Sequence, residues 1–102
     1  MSTPFRESES GTGLQDEVRE PARYKVLLHN DDYTTMAFVV EVLQAVFHKT
    51  EADALRIMLA VHKNGRGVCG VYTAEVAETK VIAVRKMARQ GGFPLKCTME
   101  EE

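Results

Sequence analysis

Asn30, Asp31, Asp32 and His62 are the side chains here whose types could together act on a ligand. An amide oxygen, a carboxylate (Asp31 or Asp32) and a neutral imidazole are three hydrogen-bond acceptors. Three acceptors match an ammonium group, which offers three donors and accepts nothing. Beside them would lie an apolar group: Leu28, Met36, Val39, Met58 and Val61, with Leu95 a further candidate. Methionines let such a pocket adapt its shape. The ligand implied is an amine with a large apolar side chain on the neighbouring carbon, which is the form of a peptide N-terminus. Each part also has a plainer reading. Asn-Asp-Asp is common turn chemistry, because these side chains bond their own backbone. A methionine on a helix stripe is usually core, and a lone histidine is usually a satisfied structural one.

Other chemistries do not assemble. His29, His48 and His62 share no metal-ligand spacing, and Cys69 and Cys97 have no suitably placed histidines for zinc. No glycine loop follows a strand in a phosphate-binding pattern. The Asp31-Asp32 pair could suggest a magnesium-dependent phosphoryl acceptor, but that needs a further aspartate at the end of a central strand. The only later aspartate is Asp53, in the first turn of a helix. The expectation is therefore a non-enzymatic protein with no cofactor and no metal.

The elements that must position these groups follow from periodicity. Tyr24 to Leu28 reads as a strand in which Val26, Leu28 and Asn30 share a face and His29 points the other way. Thr34 and Thr35 can cap a helix from Met36 to about His48. Its apolar stripe is Met36, Val39, Val40, Leu43, Val46 and Phe47, and Phe38 and Val42 lie off that stripe, so the buried arc is expected to be wide. Thr50 caps a second helix that ends at Lys63-Asn64-Gly65, with Leu55, Met58, Leu59 and His62 on one face and Val61 at its border. The short link predicts an antiparallel helix pair, with the Val39 face meeting Met58 and Val61. Gly65 to Tyr72 reads as a strand whose glycines mark a bulge or a close backbone approach. Thr73 caps a third helix that buries Ala77, Val81, Val84 and Ala88 and exposes Glu75, Glu78, Arg85, Lys86 and Arg89, with Lys80 near the edge. It ends at Gly91-Gly92, before a last strand from Phe93 to about Glu100.

Residues 1–21 read as a flexible tail, since Phe5, Leu14 and Val18 are its only larger apolar groups, and residues 22–102 as one core domain. A net charge of −2 gives no broad attraction to nucleic acid or anionic membrane. No apolar run is long enough to span a bilayer, and no signal peptide precedes the fold, which predicts a cytoplasmic protein with reduced thiols.

Three segments carry a resemblance. Val26-Leu-Leu-His-Asn-Asp-Asp-Tyr-Thr-Thr-Met36, Ile57-Met-Leu-Ala-Val-His62 and Val68-Cys-Gly-Val-Tyr-Thr-Ala-Glu-Val-Ala-Glu-Thr-Lys80 resemble ClpS, the bacterial adaptor that delivers N-end-rule substrates to the ClpAP protease. The likeness runs from Tyr24 to about Met99. It implies an α+β fold, β-α-α-β-α-β, with a three-stranded antiparallel sheet and three helices, like the C-terminal domain of ribosomal protein L7/L12. It implies that Asn30, Asp31, Asp32 and His62 hold the α-amino group of an N-degron beginning with Leu, Phe, Tyr or Trp. Leu28, Thr34, Met36, Val39, Met58, Val61 and Leu95 would line the side-chain pocket, with Met36 as a gate against Ile and Val. Tyr33, Glu75 and Lys80 match positions that contact the N-terminal domain of the ClpA unfoldase, and the tail would serve in substrate hand-over by a monomeric adaptor. An alternative is a protein-interaction module of the same fold with an idle pocket. The sequence departs from the family where Thr-Pro-Met-Glu is replaced by Thr34-Thr35-Met36-Ala37. Loss of the proline and of the capping-box glutamate predicts a weaker helix start and a looser gate.

Overall fold

The computed structural model describes residues 21–102, so the tail expected over residues 1–21 lies outside the described residues except for Pro21. The element order is β1 (Arg23–His29), α1 (Met36–Ala45), α2 (Glu51–Asn64), β2 (Arg66–Thr73), α3 (Ala74–Gly91) and β3 (Lys96–Glu101). This is the predicted β-α-α-β-α-β order. The sheet runs β2-β1-β3 and is antiparallel throughout, with β1 in the centre.

Among the described residues, helices cover one face of the sheet only. Val26 and Leu28 of β1, Cys69 of β2 and Cys97 of β3 point into a core completed by Val42 and Leu43 of α1, Ala54, Ile57 and Val61 of α2, and Ala77, Val81 and Val84 of α3. Both cysteines are free and buried, and burial pushes each thiol up to about 12, so neither is a thiolate at neutral pH. The expected β2 irregularity is a bulge. Val26 pairs with Gly70 and Leu27 with Val68, which leaves Cys69 as the extra residue.

α3 buries the predicted stripe, Ala77, Val81, Val84 and Ala88. The stripes expected on α1 and α2 need correcting. α1 buries Phe38, Val39, Val42 and Leu43, the wide arc expected, but Met36 of the stripe is 47% exposed. Phe38 is drawn inward because its ring packs on Phe93, with centroids 4.5 Å apart. α2 buries Ala54, Ile57, Met58 and Val61, and leaves Leu55 and Leu59 43% and 49% exposed. Both helices are apolar on more than one face, so periodicity alone could not choose the buried arc. α1 also ends earlier than expected, at Ala45. His48 takes a left-handed conformation (φ 56°), and the Lys49 N–H donates to the Leu43 carbonyl at 3.1 Å. The last strand begins at Lys96 rather than Phe93, because Phe93 serves as the Phe38 partner.

Candidate functional site

The site is built where β1 ends. The Asn30 N–H donates to the Gly65 carbonyl at 2.8 Å, and the Gly65 N–H donates to the Val61 carbonyl at 3.0 Å. Gly65 caps α2 in a left-handed conformation (φ 89°) that glycine adopts without a Cβ penalty. The strand end is thereby stitched to the α2 turn that carries Val61 and His62. Gly67 brings the same helix close to the sheet, since a Cβ there would sit 2.9 Å from Val61 Cγ2.

Asp31 organises the loop that follows. Its Oδ1 accepts from the Tyr33 N–H at 2.8 Å and the Thr34 N–H at 2.7 Å, and its Oδ2 accepts from Thr34 Oγ1 at 2.7 Å. Partial burial would by itself raise its pKa. The hydrogen bonds from Thr34 and Tyr33 outweigh that and hold the carboxyl below its ordinary value, so it stays ionised. Turn chemistry and a ligand-facing charge therefore coexist in one residue. Asp32 is exposed and makes no hydrogen bond among the described residues. Thr35 then caps α1, its Oγ1 accepting from the Phe38 N–H at 3.1 Å. With no proline at 35, the cap is that residue's own hydroxyl, and Thr34 is left to bond Asp31.

These elements enclose a cavity of about 220 Å³ at the open end of the α1–α2 pair. Its lining combines the polar Asn30, Asp31, Asp32, Thr34 and His62 with the apolar Met36, Val39, Met58 and Val61. The volume is below the roughly 300–1,000 Å³ of drug-sized sites, which suits one side chain with its amino group. Half of the lining is acceptor-rich and carries an ionised carboxylate, and half is apolar and flexible. Such a cavity can take a cation whose neighbouring atoms are hydrophobic.

Not every candidate reaches it. Leu28 and Leu95 are absent from the lining and are buried in the core behind it. Of the three predicted surface contacts, Tyr33 is 79% exposed and Glu75 is exposed. Lys80 is half-buried, and its Nζ donates to the Val46 carbonyl at 2.7 Å while lying 5.7 Å from the Tyr72 ring centre. It thus caps the C-terminal end of α1, where a cation meets unpaired carbonyls. No local pattern signals this bond, which spans 34 residues. Among the described residues no group of histidine, cysteine and carboxylate side chains could hold a metal ion.

The sequence profile of the family described as "ATP-dependent Clp protease adaptor protein ClpS" matches residues 19–98. The chain belongs to the ClpS family. The ClpS of Nitratidesulfovibrio vulgaris (strain DSM 19637 / Miyazaki F) is 65% identical over 88 residues, covering 86% of this chain and 88% of that protein. The ClpS of Maricaulis maris (strain MCS10) is 59% identical over 98 residues, covering 92% and 90%. Among solved structures, Agrobacterium tumefaciens ClpS2 bound to L-phenylalaninamide superposes with a TM-score of 0.79 at 42% identity, over 81% of this chain and 100% of that one. As a ClpS, the chain is an adaptor of the ATP-dependent Clp protease and not itself an enzyme.

Proposed function

We propose that this adaptor binds the free α-amino group and the large hydrophobic first side chain (Leu, Phe, Tyr or Trp) of N-degron substrates, and delivers them to ClpAP. The mixed polar and apolar lining of the cavity carries this reading. Its acceptor half suits an ammonium, and its Met36, Val39, Met58 and Val61 half suits an apolar side chain. The ligand of A. tumefaciens ClpS2 has the same two parts, a free amine beside a benzyl side chain. In this reading Asn30, Asp31, Asp32 and His62 hold the amine. Thr34, Met36, Val39, Met58 and Val61 contact the side chain, with Met36 as gate, and Leu28 and Leu95 support the pocket from the core.

Delivery rests on the N-terminal domain of ClpA meeting Tyr33, Glu75 and Lys80, the last through ammonium donors that Val46 does not use. Residues 1–21 serve the hand-over, and the adaptor works as a cytoplasmic monomer.

Fluorescence anisotropy tests the reading, with a labelled peptide beginning with Phe beside the same peptide acetylated at its N-terminus. The free amine binds and the acetylated peptide does not. Equal binding of both peptides, or of neither, overturns the amine site and leaves an interaction module with an idle pocket.

A further inference from the structure

The helix-free face of the sheet differs in charge from the chain as a whole. Arg66, His29 and Lys96 lie abreast across β2, β1 and β3, in the row next to the cavity. Lys25 and Arg23 follow along β1, and Glu100 and the terminal Glu102 are the acids of this side. Glu100 is shared, its carboxylate lying 3.8 Å from Lys25 Nζ and 3.6 Å from Arg66 Nη1. Lys96 has no ion pair among the described residues. Burial first, and then the Lys96 and Arg66 charges, hold the His29 imidazole below its ordinary 6.5, with Glu100 opposing them. The net local field is therefore positive. Inside the charged rim, Val68 is exposed and Val71 half-buried, beside the buried Leu27.

The complementary charge lies in the same chain. Residues 1–20 carry five acids (Glu7, Glu9, Asp16, Glu17, Glu20) and two bases (Arg6, Arg19), a formal −3. The whole chain is −2, so residues 21–102 sum to +1. This acidic segment joins the domain through Pro21 and Ala22 at Arg23, one end of the basic face. The seven residues of β1 span roughly 23 Å, and twenty residues can reach more than twice that when extended. A covalent link this short gives an effective concentration of order millimolar, which favours the chain's own segment over a second copy in dilute solution.

We propose that residues 1–20 dock on the helix-free face of the sheet, their carboxylates against Arg66, Lys96 and Lys25 and an apolar side chain against Val68. The segment is then held on its own domain until salt or a more basic surface displaces it.

The test places a nitroxide on Ser8→Cys in the full-length protein. Cys69 and Cys97 are buried with thiols pushed up to about 12, so the label goes to position 8 alone. At low salt the label broadens the amide resonances of Lys25, Leu27, Val68 and Thr98 and leaves Lys86 and Arg89 on α3 sharp. The broadening is lost in about 0.5 M salt, where the screening length falls to a few ångströms. It is also lost when Glu7, Glu9, Asp16 and Glu17 are changed to Gln or Asn, which alters no residue of the folded domain. Sheet and α3 amides broadened alike, no broadening, or salt-independent broadening would overturn the proposal. So would broadening in a mixture of spin-labelled and isotope-labelled molecules, because the occupant would then be a second copy.

Discussion

α3 and the α1–α2 pair are built from similar residues and used differently. α3 packs on the sheet through a stripe of small residues and meets solvent mainly with charge, with Val76 and Ile82 exposed among it. α1 and α2 carry more apolar surface than the core can absorb, and the excess stands open at Met36, Leu55 and Leu59. Together with the loop after β1, residues of both helices line the cavity. Of the three exposed side chains Met36 alone lines the cavity, so exposed apolar surface marks the working end of this fold only where it meets the polar loop after β1. Polar groups follow the same division. Asp31 spends three hydrogen bonds on holding the loop by the cavity, whereas α3 has a threonine cap at its start and a glycine at its end.

Stability measurements can break this contrast. Leu28 is fully buried, so Leu28→Ala should lower unfolding stability by about 3 kcal/mol in urea titrations. Met36→Ala should change it by less than about 0.5 kcal/mol, as for other exposed positions. A comparable loss at Met36 would mean that the rim of the cavity is core after all.

Asp31→Asn comes next, at about 1–2 kcal/mol, because the carboxylate's charge-assisted bonds are weakened. Its pH signature has a definite sign. The folded-state pKa lies below the ordinary 3.8, so the folded protein binds fewer protons than the unfolded chain. The stabilisation is full above that ordinary value and is lost as pH falls through the folded pKa. Denaturant midpoints followed from pH 7 down to strong acid should fall less steeply for Asp31→Asn than for the wild type.

Thr35→Ala removes the α1 cap and should destabilise by about 1 kcal/mol. If the loop alone fixed the helix start, calorimetry would find no change. The smallest effect is expected at His48, where a non-glycine residue sits at φ 56°. His48→Gly should raise stability by about 0.5 kcal/mol, read as a small upward shift in Tm.

Much of the fold was legible in the sequence because its signals are local. Thr35, Thr50 and Thr73 cap the three helices, Gly65 and Gly92 end two of them, and alternation in β1 directs Val26 and Leu28 to one face. The α3 stripe, Ala77, Val81, Val84 and Ala88, was readable from its helical spacing, although Val76 and Ile82 on the same helix stay exposed. The α1 and α2 stripes were not, because the choice between Phe38 and Met36, or between Ile57 and Leu59, is made by Phe93 and by the sheet.

The sequence by itself determined the element order, the caps and the types of group at the cavity: acceptors at the end of β1 and methionines on the helices beside it. Tertiary structure decided which of them face the cavity. The Asn30–Gly65 bond and the missing Cβ of Gly67 set α2 against β1, bringing His62 to the Asn-Asp-Asp loop and leaving Leu28 and Leu95 behind it. Lys80 was decided the same way, since its bond to Val46 exists only once α3 lies across the end of α1. Caps and stripes depend on neighbours a few residues away, whereas a cavity depends on the gap between elements, which no single segment encodes.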